Sequence, residues 1–168
     1  MSRGWPLEAV QSPVVDPEIR PIRPDELEEA LPLIAGYQRF YLAEPDPERN
    51  RAFFSRFLEP SEEGLLLGAW VEGKLVGFAT IYWMHSSTRA DDIGLMNDLF
   101  VTEGGRGAGV GRALIRASAE AARGAGKAHL EWFTAIDNAR AQRLYDSLPE
   151  AERSAWYAYE IDLTDEPS

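Results

Sequence analysis

The stretch from Gly94 to Leu114 carries the residue types that can bind an anion. A strand-like run, Leu95 to Val101, leads into a loop rich in glycine, and a helix-like run follows immediately. Glycines allow a backbone to approach a ligand closely, and the N–H groups of a first helical turn point outward at an anion. Arg106 and Arg112 flank the loop and are able to add charge-assisted contacts. This stretch is therefore predicted to bind a phosphate group.

The spacing in this loop differs from two common phosphate motifs. The P-loop requires G-x-x-x-x-G-K-[ST], and no Gly-Lys pair of the chain is followed by a hydroxyl residue. The dinucleotide fingerprint G-x-G-x-x-G fails because Arg112 stands where a third glycine would follow Gly107 and Gly109. That fingerprint also belongs to a parallel βαβ unit, whereas a predicted hairpin leads into this loop. Neither a nucleoside triphosphate nor a dinucleotide is the expected ligand.

Hydrophobic periodicity and turn signals predict the strands that position the loop. Apolar runs at Gly64 to Val71 and at Lys74 to Trp83 flank Glu72-Gly73, and this pattern predicts a β-hairpin. Further strands are predicted at 19–23, 95–101, 128–134 and 156–163.

Four helices are predicted from capping signals and helical spacing. Asp25 is expected to cap the first, with Glu28 completing a capping box and Pro32 causing a kink or a late start. The others are a helix capped by Asp46 that buries Phe53, Phe54 and Phe57, a helix ending near Arg123, and a helix capped by Asp137 or Asn138.

The order of these elements is β-α-α-β-β-β-α-β-α-β, which predicts a mixed α/β fold around a central sheet. Residues 1–17 carry three prolines and little pattern, so they are predicted to form an N-terminal arm. The length of 168 residues favours a single domain, placed at residues 18–168.

Composition excludes several classes of protein. The absence of cysteine removes disulfides, thiolate metal sites and a cysteine nucleophile, and with two histidines we expect no histidine-rich metal site. A net charge of −11 argues against nucleic acid and is compatible with a cationic amine, although most carboxylates of such a protein simply face water. No run approaches about 20 apolar residues and no signal peptide is present, so we expect no membrane contact and a cytoplasmic location.

Two motifs carry a resemblance to a known family. Arg106-Gly107-Ala108-Gly109-Val110-Gly111 resembles the pyrophosphate-binding pattern [QR]-x-x-G-x-[GA] of the GNAT superfamily of acetyl-CoA-dependent N-acetyltransferases. The segment from Asn138 to Tyr145 resembles the later helix of that family, written N-x-x-A-x-x-x-Y. The run from Asn97 to Val101 is similar to its strand before the glycine loop. The specific motifs lie within residues 95–148, and the outline of the fold extends over 18–163.

The resemblance implies acetyl-CoA as the cosubstrate and assigns residues to it. Backbone groups of the glycine loop and of the helix start would bind the pyrophosphate, and one strand would pair with the pantetheine arm. Arg112 is equally well explained as a solvated helix residue, and Asn138 as a helix cap. The residues assigned to the cosubstrate are Leu99, Phe100, Val101, Arg106, Gly107, Gly109, Val110, Gly111, Arg112 and Asn138.

The resemblance also implies catalytic roles for two residues. Tyr145 matches the general acid of the family, which protonates the leaving thiolate. Asp98 is the candidate base, because Asn97 beside it cannot accept a proton. In a regular strand Asn97 and Asp98 point to opposite faces, so only one of them faces the substrate unless a bulge intervenes. A structural role for Asp98, with a water chain as the base, stays an alternative.

The expected reaction is acetyl transfer to a primary amine of a small molecule by direct attack in a ternary complex. Tyr37, Tyr41, Trp83 and Asn97 are the candidate acceptor contacts. No metal ion is expected. Alternatives are a non-catalytic domain that binds an acyl-CoA as a sensor or partner module, and acetylation of a protein lysine or N-terminus. A homodimer is possible.

Overall fold

The computed structural model describes residues 16–59 and 61–163, so most of the predicted N-terminal arm lies outside the described residues. These residues form two compact units, the first ending at Phe133 and the second beginning at Thr134. The placement of one domain over residues 18–168 stays a prediction.

A five-stranded sheet forms the centre of the first unit. Its strands are adjacent in chain order: the first four pair antiparallel, and the last pairs parallel with the fourth. The strands are β1 (Glu18–Pro21), β2 (Gly64–Val71), β3 (Lys74–Ser86), β4 (Asp91–Val101) and β5 (His129–Glu131). The predicted mixed α/β fold and the predicted β2–β3 hairpin are confirmed.

The turn between β2 and β3 consists of two residues with positive φ. Glu72 and Gly73 have φ values of 51° and 75°, and a two-residue turn that matches the twist of the strands requires positive φ at both positions. Glycine accepts this conformation without cost, whereas Glu72 is held in it by the strands on either side.

Helices cover both faces of the sheet. These helices are α1 (Leu27–Phe40), α2 (Pro47–Phe54) and α3 (Val110–Gly124), all in the first unit; the second unit contains α4 (Ala139–Asp146). Phe78 of β3 packs in the core formed with α1 and α2, whereas a Cβ added at its neighbour Gly77 would lie 3.3 Å from Leu114 of α3. Because successive strand residues point to opposite faces, α1 and α2 lie on one face and α3 on the other.

The first helix begins later than predicted. Residues Pro24–Glu26 form a turn of 3-10 helix, and α1 starts at Leu27 and runs through Pro32. The carboxylate that reaches back is Glu26, which accepts from the backbone N–H of Arg23 at 3.0 Å, so the predicted pair of Asp25 and Glu28 is wrong. Pro24 has no N–H to cap and favours the turn that precedes the helix.

The second helix is capped as predicted and ends earlier. Asp46 accepts hydrogen bonds from the backbone N–H groups of Glu48 and Arg49. Phe54 and Phe57 are buried, but 38% of Phe53 is exposed, so its predicted burial is wrong. The α-helix ends at Phe54 and continues as a 3-10 turn, which changes the angular spacing of the three rings.

The predicted closing strand over 156–163 is also wrong. Residues 151–162 form no helix or strand, and the large apolar side chains of this segment are exposed. Alternation of apolar and polar residues makes a strand only where a sheet edge pairs with it. No strand of the described chain pairs with this segment.

An ion pair joins β1 to the start of α1. The Arg20 guanidinium binds both carboxylate oxygens of Glu26, at 2.7 and 2.8 Å, and lies 3.7 Å above the ring of Trp70. The hydrogen bonds from Arg20 lower the pKa of Glu26 to about 2. A carboxylate whose pKa is lowered on folding stabilises the protein above its unfolded pKa, and this contribution is lost as the pH falls through the folded value.

We expect Glu26→Gln to lower the free energy of unfolding by about 1–2 kcal/mol at pH 7, because the charged partner of Arg20 is lost. The difference from wild type should disappear as the pH falls from 4.5 towards 2, where Glu26 itself becomes protonated. Urea unfolding followed by circular dichroism at several pH values measures both effects.

Glu28→Gln is the matched control, because Glu28 pairs with Arg51 at the exposed surface. Its effect should be clearly smaller. Equal losses in the two variants would contradict a special role for Glu26.

Candidate active site

A β-bulge in β4 places two polar side chains together. Thr80 of β3 lies opposite Asp98 and Ile81 lies opposite Met96, so Asn97 has no partner in the register. The extra residue interrupts the alternation of faces. As a result Asn97 Nδ2 donates a hydrogen bond of 3.0 Å to Asp98 Oδ1. Because of this bulge, Asn97 and Asp98 both face the same site.

Asp98 is a buried carboxylate with uncharged partners. Only 5% of the residue is exposed. Burial raises the pKa of Asp98, and hydrogen bonds with Thr80, Tyr37 and Asn97 oppose this rise. The amide of Asn97 makes the regular hydrogen bond among these, at 3.0 Å, whereas the buried Oγ1 of Thr80 has no hydrogen-bond partner among the described residues. Asp98 is thus a base of raised proton affinity, as a general base near neutral pH should be.

Three tyrosines surround this carboxylate and keep their protons. Burial raises the pKa of Tyr37 far above its usual range and that of Tyr82 to about 12, and the nearby charge of Asp98 adds to both shifts. The pKa of Tyr41 is raised for the same two reasons. Asp98 is therefore the member of this group whose protonation changes at the lowest pH.

The rings of these residues form the walls around the carboxylate. Tyr37 makes edge contacts with Tyr41 at 5.0 Å and with Phe100 at 6.2 Å between ring centroids. The ring centroid of Tyr82 lies 5.0 Å from that of Phe57. An apolar wall with one carboxylate at its centre suits an amine, which is a cation until it gives up its proton.

The structure brings three of the four predicted acceptor contacts together. The phenol of Tyr37 is close enough to Asp98 for the two groups to shift each other's pKa, Tyr41 contacts Tyr37, and Asn97 donates to Asp98. Trp83 lies on the other face of the sheet, where its ring is beside Gly94 and 5.8 Å from Lys127 Nζ.

Sequence reasoning missed Tyr82 and Thr80, which reach the site from β3. Asn97 Nδ2 is 3.4 Å from the Tyr82 hydroxyl, and Thr80 lies opposite Asp98. A period of two along β3, counted from the core residue Phe78, identifies both residues and excludes Trp83 from this face.

The edge of β4 is open beyond the bulge. β5 pairs with β4 only from Ile93 to Leu95, whereas β3 pairs with it as far as Val101. Within the described sheet, the backbone of Leu99, Phe100 and Val101 therefore has no strand on its second side. Such an edge can accept an extended ligand through main-chain hydrogen bonds.

The glycine loop has the geometry that its composition predicted. Gly107 and Gly109 have φ values of 87° and 75°, and no atom lies within 4 Å of a Cβ built at either position. Gly109 is the N-cap of α3 and provides no side chain to cap Val110 and Gly111, the first two residues of the helix. Arg106 Nε donates to the carbonyl of Val101 at 3.2 Å, which ties the loop to the end of β4. An uncapped helix start of this kind attracts an anion.

A groove lies between α1 and the end of β4. Its volume is about 570 Å³, and its lining includes Phe100, Thr102 and Arg106 on one side and Gly36 and Arg39 on the other. Phe100 also contacts Tyr37. The groove therefore extends from the wall of the carboxylate cluster to the glycine loop, with room for a ligand.

The helix of the second unit carries the other motif. Asn138 Oδ1 accepts from the backbone N–H of Ala141 at 3.1 Å, so Asn138 rather than Asp137 is the helix cap. Tyr145 is partly buried in the last turn of α4.

Neither a metal site nor a membrane-spanning segment is found in the described residues. No group of three His, Cys, Asp or Glu side chains within 16–59 and 61–163 is placed to hold a metal ion. In the same residues, every helix is too short or too polar to cross a membrane.

Comparison with known proteins identifies the family. Residues 29–148 match the Acetyltransferase (GNAT) family. The D-amino-acid N-acetyltransferase HPA3 of Saccharomyces cerevisiae is 33% identical over 147 residues, which cover 86% of this chain and 89% of that protein. The chain belongs to the GNAT acetyltransferase family, and it is an acyltransferase. The resemblance stated from the two motifs is confirmed.

Solved structures agree with this assignment. A probable acetyltransferase is 26% identical and has a TM-score of 0.75, with 89% of this chain and 99% of that chain covered. An aminoglycoside N-acetyltransferase in complex with CoA is 19% identical with a TM-score of 0.71, covering 86% and 95% of the two chains, and this likeness shows the fold alone. Acetyltransferases of this fold use an acyl-CoA.

We expect Gly109→Ala to lower the free energy of unfolding by about 1 kcal/mol, because a Cβ at positive φ is strained even where space is open. Gly104→Ala is the matched control, since Gly104 lies in the same loop without a positive φ and with equal space around it. Urea unfolding of the two variants measures the difference. An equal stability of both would contradict the conformation of Gly109.

Proposed function

We propose that the chain transfers an acetyl group from acetyl-CoA to a primary amine of a small molecule. The observation that carries this proposal is the buried Asp98, held at a bulge among tyrosines next to an open strand edge. The relative from Saccharomyces cerevisiae, which is named for acetylating D-amino acids, supports a small amine as the acceptor.

The residues present fit acetyl-CoA. The glycine loop leaves open space at Gly107 and Gly109, and the uncapped start of α3 follows it. The backbone of Arg106, Val110, Gly111 and Arg112 completes the part that would hold the pyrophosphate. The open edge at Leu99, Phe100 and Val101 would hold the pantetheine arm, and Asn138 would contribute a contact in addition to its role as a cap. When bound, the cosubstrate supplies an acetyl thioester with an electrophilic carbonyl carbon.

Asp98 acts as the base in this proposal. An alkyl amine has a pKa of about 10.4 and is protonated near pH 7, so it must lose a proton before it can attack. A carboxylate oxygen of Asp98 takes that proton, directly or through a water molecule. Tyr37 and Tyr41 form the wall that holds the amine against Asp98 and excludes bulk water.

Tyr145 acts as the acid. Its phenolic O–H donates a proton to the departing sulfur, as the match of its helix to the family motif implies. The chain contains no cysteine, so no thiol is present to carry the acetyl group on the protein. Direct attack in a ternary complex is therefore the proposed route. The homodimer stays a prediction.

The proposal is tested with acetyl-CoA and a panel of amines, amino acids and aminoglycosides, with a lysine-containing peptide included. We expect turnover with at least one small amine and none with the peptide. Asp98→Asn should lower kcat by at least about 100-fold, since proton transfer by a positioned group contributes 10²–10⁴-fold. In wild type, kcat should fall at low pH with an apparent pKa above that of an ordinary aspartate.

Asp91→Asn is the matched control, because Asp91 begins the same strand but is exposed and outside the site. It should retain wild-type kcat. Binding of CoA without turnover of any acceptor would indicate the alternative, a non-catalytic acyl-CoA sensor. Turnover of the peptide alone would indicate a protein acetyltransferase.

Tyr145→Phe should lower kcat by about 10- to 100-fold and change CoA affinity by less than about twofold, because the phenol acts on the leaving group and not on binding. Steady-state kinetics and calorimetric titration with CoA measure the two quantities. Wild-type rates throughout the pH range would refute the acid role.

A further inference from the structure

The polar side chains around Asp98 come from separate elements of the fold. Tyr37 is on α1, Asn97 is at the bulge of β4, and Thr80 lies opposite on β3. None of these partners carries a positive charge. A buried carboxylate without a cation depends on its hydrogen bonds to stay ionised, since burial by itself favours the neutral acid.

The phenol of Tyr37 is held in place by its ring. The ring makes edge contacts with Phe78 at 5.9 Å and with Phe100 at 6.2 Å, on two neighbouring strands, and with Tyr41, directly after the end of α1, at 5.0 Å. A ring packed on three sides has little freedom to turn its hydroxyl away from Asp98. Because Tyr37 keeps its proton at every pH at which the protein works, its phenol donates throughout.

The side chain of Asn97 is held by the bulge and by a second contact. Its Nδ2 donates to Asp98 Oδ1 at 3.0 Å and is 3.4 Å from the hydroxyl of Tyr82. An amide nitrogen between two oxygens has both of its protons engaged. Asn97 therefore has a structural role at Asp98 that does not depend on any contact with the acceptor.

We propose that Tyr37 and Asn97 are positioning residues, which together keep the Asp98 carboxylate ionised and aimed at the acceptor amine. This inference rests on the proposed function, in which Asp98 is the base. Asn97 and Tyr37 would influence the acceptor through Asp98, and the bulge would serve to bring the amide of Asn97 to the carboxylate.

Loss of a hydrogen-bond donor is expected to raise the pKa of Asp98. Burial raises the pKa of Asp98, and each donor to its carboxylate lowers it. Removing a donor should therefore move the titration of Asp98 to higher pH. The titratable groups that face Asp98 are Tyr37 of α1, Tyr41 directly after that helix and Tyr82 of β3, and the tyrosines remain neutral in the range where Asp98 titrates.

The test is a carboxyl titration of the full chain in the absence of any ligand. The side-chain 13C resonance of Asp98 is assigned by its loss in Asp98→Asn and is followed against pH. We expect Tyr37→Phe to move the midpoint upward by about one pH unit, since the hydrogen bond of a buried donor to a charge is removed. Asn97→Ala should move it in the same direction.

The same shift should appear in turnover. The acid limb of kcat in Tyr37→Phe should move upward by the same amount as the carboxyl midpoint, and kcat should approach the wild-type value above the limb. A general loss of structure would instead lower kcat equally at all pH values. Tyr159→Phe is the matched control, because Tyr159 is 94% exposed, and it should leave the midpoint and the rate unchanged.

A midpoint that does not move, or that moves downward, in the folded variants would overturn the proposal. If Tyr37→Phe fails to fold, as judged by thermal unfolding, Asn97→Ala decides the question alone. A shifted midpoint in a protein that acetylates no amine would support the positioning of Asp98 and contradict the proposed function. Titration thus tests the positioning of Asp98, and turnover tests the proposed acetyl transfer.

Discussion

One additional residue in β4 determines how the site is built. In a regular strand Asn97 would point to the face of α3, and Asp98 would stand alone beneath α1. The bulge turns both side chains to the same face, where the amide of Asn97 is a donor to the carboxylate of Asp98. The cost of burying a charge is thereby offset by hydrogen bonds from neighbours that are themselves fixed by packing.

Strand β4 contributes to two different surfaces, one on its face and one at its edge. The face covered by α1 holds the carboxylate and its tyrosines, whereas the open edge beyond Leu95 exposes backbone groups. Short pairing with β5 creates this edge. The glycine loop then begins where β4 ends, and Arg106 ties the loop to Val101. An extended ligand and an amine can therefore meet at one strand without competing for the same groups.

Asp98 is set apart from the other carboxylates of the chain by its surroundings. The chain has a net charge of −11, but most of its carboxylates face water. Asp98 differs because it is buried, its partners among the described residues carry no positive charge, and the tyrosines around it retain their protons. In the proposed function this group accepts the proton that an amine must lose before it attacks. Tyr37 of α1 and Tyr82 of β3 contribute to the walls around it, so these two elements are among those where acceptor preference would be determined.

The sequence by itself determined the features that depend on local backbone preferences. The hairpin at Glu72-Gly73, the cap at Asp46, the span of α3 and the glycine loop follow from turn residues, capping residues and spacing that act over a few positions. The two motifs likewise identified the family. Tertiary structure decided the rest, because these features depend on pairing and packing between distant segments. The register of β3 and β4 produced the bulge at Asn97, brought Tyr82 and Thr80 to Asp98 and left Trp83 on the other face. The apolar alternation of residues 156–163 did not make a strand, since no described sheet edge pairs with it.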